Sequence, residues 1–256
     1  MHSPDPPPAF AAAPSAESRL AASAGKPAPP ALRIAAWLTH VYTATGALLA
    51  LLATSAIVRG DLRFGFFWLA ISIVVDSTDG FLARAFRVRE VVPDVNGSHL
   101  DDIVDYLTFV FVPAFLMYHA GRLPPGWALP VVFAMLVSSV VAFAKADAKS
   151  ADHFFTGFPS YWNIVVLYLV GLGVAPWLNA VILLALCGLI FVRIGYVYPS
   201  RTPTLRALTV TLGCGWGAVL IYEILRFPRT DAWLVVSLVF PAYYVVLSLV
   251  LHARRK

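Results

Sequence analysis

DSTDGFLARAFRVREVVPDVNGSHLDDIVD, residues 76–105, carries acidic and basic side chains between two strongly apolar segments. The chain has 256 residues, of which 59% are hydrophobic and only 13% are charged, and its mean hydropathy is +0.76. These values exceed those of ordinary water-soluble domains. The charged stretch is therefore expected at the edge of membrane-spanning segments.

Apolar runs recur along most of the chain, and many reach the roughly 20 residues that a helix needs to cross a membrane. Because the runs are continuous rather than alternating, they favour α-helices over a β-barrel. The sequence thus predicts an all-α integral membrane protein with about eight transmembrane helices. The predicted spans are 34–58, 62–84, 100–120, 125–145, 160–175, 178–198, 205–224 and 232–251.

Residues 1–32 are rich in Pro, Ala and Ser and predict a disordered cytosolic tail, which leaves 33–256 as a transmembrane catalytic domain. With the N-terminus inside, 14 of the 19 Lys and Arg residues fall on the cytosolic side. The positive-inside rule therefore predicts an N-in, C-in topology. The net charge of +5 then indicates contact with membrane lipids and no nucleic-acid partner.

Two groups of carboxylates flank the loop in the middle of the opening stretch. Asp76 and Asp79 lie at the inner end of the second predicted span, and Asp101 and Asp105 lie at the start of the third. Spacings of three and four residues put each pair on one helix face. Since residues 85–96 are long enough to turn the chain back, we expect the four carboxylates to converge in one pocket.

Converging carboxylates at a membrane edge repel one another unless a cation holds them. Carboxylate oxygens without His or Cys suit Mg²⁺, Mn²⁺ or Ca²⁺. The small residues Gly80 and Ala83 leave room for a bulky ligand, and Arg84 can bridge phosphate oxygens. Taken singly, an intramembrane Asp is also typical of an ion pathway, and an Arg of an interfacial anchor.

The pattern DxxDGxxAR, twelve residues, then GxxxDxxxD resembles the signature of the CDP-alcohol phosphotransferase family. Its eight specified positions are Asp76, Asp79, Gly80, Ala83, Arg84, Gly97, Asp101 and Asp105. The resemblance implies a six-helix core, a homodimer and two Mn²⁺ or Mg²⁺ ions bound by the four aspartates and a CDP-linked donor. It also implies that Asp105 takes the proton of an attacking alcohol.

The gap of twelve residues and several further stretches resemble the phosphatidylcholine synthase branch of that family. Those stretches are 36–47, 97–114, 153–169 and 198–206. The branch implies CDP-diacylglycerol as donor, choline as acceptor, phosphatidylcholine and CMP as products, and an active site on the cytosolic face of the bacterial inner membrane. The donor contacts implied are Gly80, Ala83, Arg84, Gly97, His40 and Thr43, with His40 standing where the family usually has Asn.

A quaternary ammonium has no N–H to donate, so aromatic faces are suited to bind it. Tyr161, Trp162 and Tyr106 are the candidates for contact with choline, although Tyr and Trp also gather at membrane interfaces without any ligand. Two alternatives stay open at this stage. One is a member of the same family that uses serine, inositol or glycerol phosphate, and the other is a cation channel or transporter.

Overall fold

The computed structural model describes residues 28–144, 154–197 and 205–253. Most of the predicted N-terminal tail, residues 1–27, lies outside the described residues, as does most of the stretch 198–206. The first helix begins at Pro30, close to the boundary predicted between tail and membrane domain. Proline suits that position because the first N–H groups of a helix have no partner within it.

Helices account for most of the described residues, and each of the eight predicted spans contains at least one helix. We number them α1 Pro30–Val58, α2 Leu62–Ala85, α3 Val88–Val91, α4 Gly97–Asp105, α5 Val112–His119, α6 Ala128–Phe143, α7 Trp162–Gly171, α8 Pro176–Leu189, α9 Arg206–Arg226, α10 Ala232–Ser237 and α11 Val239–Ala253. The predicted all-α fold is confirmed. In this fold α3 is an additional element, since it lies in the predicted loop between the second and third spans.

Four segments within the described residues are long and apolar enough to cross a membrane: α1, α2, α9 and the nearly continuous pair α10 and α11. Many large apolar side chains on the helix surfaces are exposed, among them Leu51, Phe133, Trp177 and Val239. A water-soluble protein rarely leaves so much apolar surface uncovered, whereas lipid tails accept it. The chain is an integral membrane protein.

Two regions depart from simple helices. A π-helical segment, Tyr106–Phe111, joins α4 to α5 directly after Asp105. The predicted sixth span extends to residue 198, but α8 ends at Leu189. The chain then forms strand β2 (Gly195–Val197), which pairs antiparallel with β1 (Phe154–Thr156). The end predicted for that span was therefore wrong, because these residues satisfy their backbone groups by pairing with a distant segment.

Helices α1 and α2 run antiparallel through a tight connection at residues 59–61, and small buried residues such as Ala53 and Ala56 let them approach closely. Helix α4 packs against α1 at Gly46, where an added Cβ would lie only 2.3 Å from Cγ1 of Val104. This close contact holds the C-terminal end of α4, next to Asp105, against α1. It brings the two halves of the opening stretch onto one face of the bundle.

Polar contacts tie the last helices to the core. The indole N–H of Trp216 on α9 donates to the hydroxyl of Tyr168 on α7 at 2.8 Å, and that hydroxyl lies 2.7 Å from the Ser237 hydroxyl on α10. On the next helix, the Tyr243 hydroxyl lies 2.9 Å from that of Thr209. Such hydrogen bonds are favoured in membrane helices because no water competes for these groups.

Candidate active site

Three of the four predicted aspartates converge, one from α2 and two from α4. Asp76, Asp101 and Asp105 each offer a carboxylate oxygen, and these oxygens all lie within 4.8 Å of one another. All three side chains are half-buried. Asp101 and Asp105 are four residues apart and therefore lie on one face of α4. Their carboxylates on that face meet the carboxylate of Asp76 on α2.

The fourth aspartate, Asp79, is buried one helical turn from Asp76, with 7% of its surface exposed. One of its carboxylate oxygens accepts a hydrogen bond of 2.9 Å from the Thr43 hydroxyl on α1. Asp79 is not one of the residues of the triplet, but it lines the adjoining cavity together with Asp101. Thr43, a predicted donor contact, therefore orients a predicted metal ligand.

The triplet can hold a metal ion, as its donor set shows. It offers carboxylate oxygens, half-buried and close together, without a thiolate or imidazole in the group. Hard cations such as Mg²⁺, Mn²⁺ and Ca²⁺ prefer such oxygens and tolerate further ligands from phosphate or water. A cation also relieves the repulsion among carboxylates held at this spacing.

A cavity of about 890 Å³ opens beside the aspartates. Helix α1 contributes Thr39, His40 and Thr43 to its wall, and α2 contributes Asp79, Gly80, Ala83 and Arg84. The wall is completed by Arg87, Val88, Arg89, Glu90, Pro93, Val95, Asn96, Gly97, Ser98 and Asp101. All six predicted donor contacts thus line one cavity, which is large enough for a nucleotide-sized ligand.

His40 and Gly97 are close neighbours in the wall of this cavity. Only 6% of His40 is exposed, and its Nε2 atom makes no hydrogen bond to any described residue. A Cβ on Gly97 would lie 3.2 Å from the His40 Cε1 atom, so a larger residue would press against the imidazole. A buried polar atom without a partner is unfavourable unless a ligand or water satisfies it.

Arg84 folds back along its own helix. A Cβ on Gly80 would lie 3.3 Å from the Arg84 Nη1 atom, so the missing side chain of Gly80 makes room for the guanidinium. Ala83 packs beside the buried residues Ala36 and Val88. The small residues of the motif therefore have two uses: Gly80 accommodates Arg84, and Ala83 accommodates α3.

The three aromatic candidates differ in their surroundings. Trp162 has no exposed surface, and its indole N–H donates to the Ser139 hydroxyl at 2.8 Å. The Tyr106 hydroxyl donates to the Leu136 carbonyl oxygen at 3.2 Å. Tyr161 is half-buried, and its ring lies 6.0 Å from that of Phe109, which follows Asp105 by about one turn. Tyr106 is half-buried as well, and none of the three is among the residues that line the cavity.

Sequence reasoning missed one part of the cavity. Helix α3 and the residues around it supply Arg87, Arg89 and Glu90 to the wall, although the sequence suggested only a loop here. The signal available was the length of the twelve-residue gap together with the apolar residues Val88 and Val92. Both valines are buried against Ala36, which holds α3 on the bundle.

Comparison with known proteins gives a consistent result. No protein-family model matches this chain. Phosphatidylcholine synthase of Legionella pneumophila is 37% identical over 222 residues, which cover 84% of this chain and 87% of that protein. The chain belongs to the phosphatidylcholine synthase family. Phosphatidylcholine synthases of Pseudomonas aeruginosa and Rhizobium meliloti are 36% and 32% identical, over 86% and 84% of this chain and 92% and 90% of their own lengths.

Membership of this family confirms the resemblance that the aspartate signature indicated. The similarity extends far beyond the motif, since the aligned regions cover most of this chain and most of each relative. The cavity and the carboxylate triplet therefore lie in a chain whose relatives are phospholipid-synthesising transferases.

Proposed function

We propose that this protein is a phosphatidylcholine synthase, which transfers the phosphatidyl group of CDP-diacylglycerol to choline and releases CMP. The observation that carries the proposal is the juxtaposition of the Asp76, Asp101 and Asp105 carboxylates with a nucleotide-sized cavity, in a chain of this family. Apolar surfaces around the bundle accept the acyl chains of the donor, and the polar cavity accepts its head.

Asp76, Asp79, Asp101 and Asp105 are proposed to hold two Mn²⁺ or Mg²⁺ ions. When bound, such ions neutralise the donor diphosphate and stabilise charge on the leaving oxygen. The buried position of Asp79 and its hydrogen bond from Thr43 support its place as a ligand, because the bond fixes one carboxylate oxygen. The four carboxylates would be mutually repulsive without this positive charge.

In the proposed reaction, the choline oxygen attacks the phosphorus atom that bears the diacylglycerol. The bond from this phosphorus to the bridging oxygen breaks, and that oxygen leaves with CMP. The hydroxyl proton passes to the Asp105 carboxylate, which acts as general base. Arg84 adds positive charge beside the diphosphate, and His40 offers its buried Nε2 atom to the donor head.

Gly80, Ala83 and Gly97 serve the donor through their small size. A side chain at Gly97 would press on His40, and one at Gly80 would displace the Arg84 guanidinium. Larger residues at these positions would therefore narrow the cavity and displace the groups that line it. Close packing therefore explains why small residues occupy these positions of the motif.

Choline is proposed to bind on the side of Asp105 that faces the aromatic residues. Its ammonium lies two carbons from its hydroxyl, so a cation-binding ring must lie near the base. Tyr161 is the proposed ring, and its contact with Phe109, which follows Asp105 by about one helical turn, supports this choice. Trp162 and Tyr106 are proposed to support this pocket through their hydrogen bonds to Ser139 and Leu136.

The remaining proposals concern the setting of the enzyme. The distribution of Lys and Arg supports an N-in, C-in topology with the aspartates at the cytosolic edge of the bacterial inner membrane. Water-soluble choline and the lipid-borne donor can meet at that edge. We also expect a homodimer, as the wider family resemblance implies.

The test incubates membranes that contain the protein with CDP-diacylglycerol, Mn²⁺ or Mg²⁺, and labelled choline, serine, inositol or glycerol phosphate in turn. Labelled phosphatidylcholine with choline alone is expected. Product with serine or inositol and none with choline would contradict the proposed acceptor. The family comparison does not favour these other alcohols, nor a channel or transporter.

A matched pair of variants tests the general base. Asp105→Asn is expected to lower kcat by about 10²- to 10⁴-fold, because the amide cannot take the proton. Asp102→Asn is the control, since Asp102 is half-buried nearby but is not one of the triplet residues. If Asp105→Asn were as active as Asp102→Asn, the assignment of Asp105 as general base would be refuted.

A further inference from the structure

Helix α3 and its flanking residues form a wall of the donor cavity that the aspartate motif does not include. Arg87, Arg89 and Glu90 all line this wall. The segment is fixed to the bundle, because Val88 and Val92 are each only 4% exposed and pack with Ala36 of α1. Its charged side chains therefore project from an anchored support.

Arg87 occupies an unusual position at the start of this wall. Its backbone has φ 51° and ψ 40°, the left-handed region that side chains other than Gly seldom adopt. Its Nε atom donates a hydrogen bond of 2.8 Å to the Glu90 carboxylate, which also contacts its Nη2 atom. The guanidinium is thereby held at the edge of the cavity with part of its hydrogen-bonding capacity unused.

Arg84 and Arg87 both line the cavity. Arg84 folds back over Gly80, towards the aspartates that receive the diphosphate in the proposed function. Arg87 lies two residues beyond the end of α2 and lines the same cavity, where it can reach the phosphate that the donor diphosphate shares with cytidine. His40, whose buried Nε2 atom has no hydrogen-bond partner among the described residues, also lines this cavity. The lining thus offers a cation and a second polar group to one ligand.

We infer that Arg87 binds the 5′-phosphate of the cytidine half of the donor, and that α3 is the element that holds it there. The inference rests on the proposed function, because the ligand is the CDP group of that reaction. A guanidinium suits the task, since its planar fork can donate two hydrogen bonds to phosphate oxygens. Glu90 positions Arg87 through their hydrogen bonds, and its negative charge repels the anionic ligand.

The first variant is Arg87→Gly, which removes the guanidinium and relieves the left-handed backbone. The KM for CDP-diacylglycerol and the inhibition constant of CMP are both expected to rise about tenfold, the effect of one charge-assisted hydrogen bond at a partly exposed site. The KM for choline should not change, and the melting temperature should be equal or higher. Arg87→Lys should retain part of the affinity for CMP.

The second variant, Glu90→Gln, separates ligand binding from a structural role. If Arg87 merely holds α3 through its ion pair, both variants should lower the melting temperature and affect the kinetics in the same direction. If Arg87 binds phosphate, Glu90→Gln should keep or lower the KM for CDP-diacylglycerol, because a negative charge leaves the cavity. Arg59→Ala, at the far end of α1, is the control for loss of an exposed arginine.

The outcomes are distinct. Unchanged CMP inhibition in Arg87→Gly, with wild-type protein active on choline, would overturn the inference and leave the proposed function intact. An equal loss of inhibition by CMP and by cytidine, which lacks the phosphate, would also overturn it. Wild-type protein that makes no phosphatidylcholine would instead refute the proposed function. For that case, CMP binding to the purified protein tests Arg87 directly, and unaltered binding by Arg87→Gly would overturn the inference.

Discussion

Gly46 is the position where the structure makes the sharpest prediction about activity. An added Cβ would lie 2.3 Å from Cγ1 of Val104, a buried residue. Val104 cannot easily turn away, because a β-branched side chain in a helix has one strongly preferred rotamer. Relief to the roughly 3.5 Å of ordinary carbon contact therefore requires α1 and α4 to separate by about 1.2 Å.

This separation would act on the active site directly. Val104 precedes Asp105, and α4 also carries Asp101, so both carboxylates would move relative to Asp76. A misplacement of about 1 Å can lower a rate about 100-fold, and overpacking typically costs about 1–3 kcal/mol of folding free energy. We expect Gly46→Ala to lower kcat by about 100-fold.

A second substitution should restore the activity. In the double variant Gly46→Ala, Val104→Ala, the Cγ1 atom is gone and the nearest remaining atom is the former Val104 Cβ, at 3.8 Å. We therefore expect most of the lost kcat to return in a choline incorporation assay, even if removal of the valine methyl groups lowers the melting temperature. Gly215→Ala is the control, since nothing lies within 4 Å of its added Cβ.

Two results would refute this reasoning. Full kcat for Gly46→Ala at an unchanged melting temperature would mean that the helices are not held as closely as the structure has them. An equal loss in the single and the double variant would mean that the contact with Val104 is not the cause.

Three further predictions follow from the site. Thr43→Val removes the hydrogen bond to Asp79 at nearly constant volume and should lower kcat/KM by about tenfold at subsaturating metal, with a smaller deficit at high Mn²⁺ if Asp79 is a ligand. Chelation with EDTA should abolish turnover, and Mn²⁺ or Mg²⁺ should restore it; turnover that persists without divalent cations would contradict the metal assignment. Tyr161→Ala should raise the KM for choline about tenfold and leave that for CDP-diacylglycerol unchanged, and the reverse pattern would place choline elsewhere.

The helices were predictable because their signal is local. An apolar run of the necessary length indicates a span whatever it packs against, and each of the eight predicted spans contains a helix. Boundaries set by distant partners were less accessible. The early end of α8 at Leu189 depends on the pairing of Gly195 and Val197 with residues 154–156, about forty positions away.

The candidate site shows the same division. Helical periodicity put each pair of aspartates on one face of its helix, and the length of the segment between the helices indicated that the two pairs converge. Periodicity could not show that Asp79 differs from the other three aspartates, because its environment depends on Thr43 of α1, 36 residues earlier in the chain. Nor could the sequence show that Trp162, and not its neighbour Tyr161, is the ring that is buried against Ser139 of α6, because this depends on which of the two side chains faces that helix.

The sequence by itself determined that this chain crosses a membrane and carries the aspartate motif of its family. Both properties reside in local composition and spacing, and they require no knowledge of what lies across the bundle. Only the tertiary structure decided that Gly46 admits Val104, that Gly97 faces His40, and that α3 brings Arg87 to the cavity. These arrangements depend on atoms from different helices meeting at van der Waals distance, which residue spacing along one chain segment does not specify.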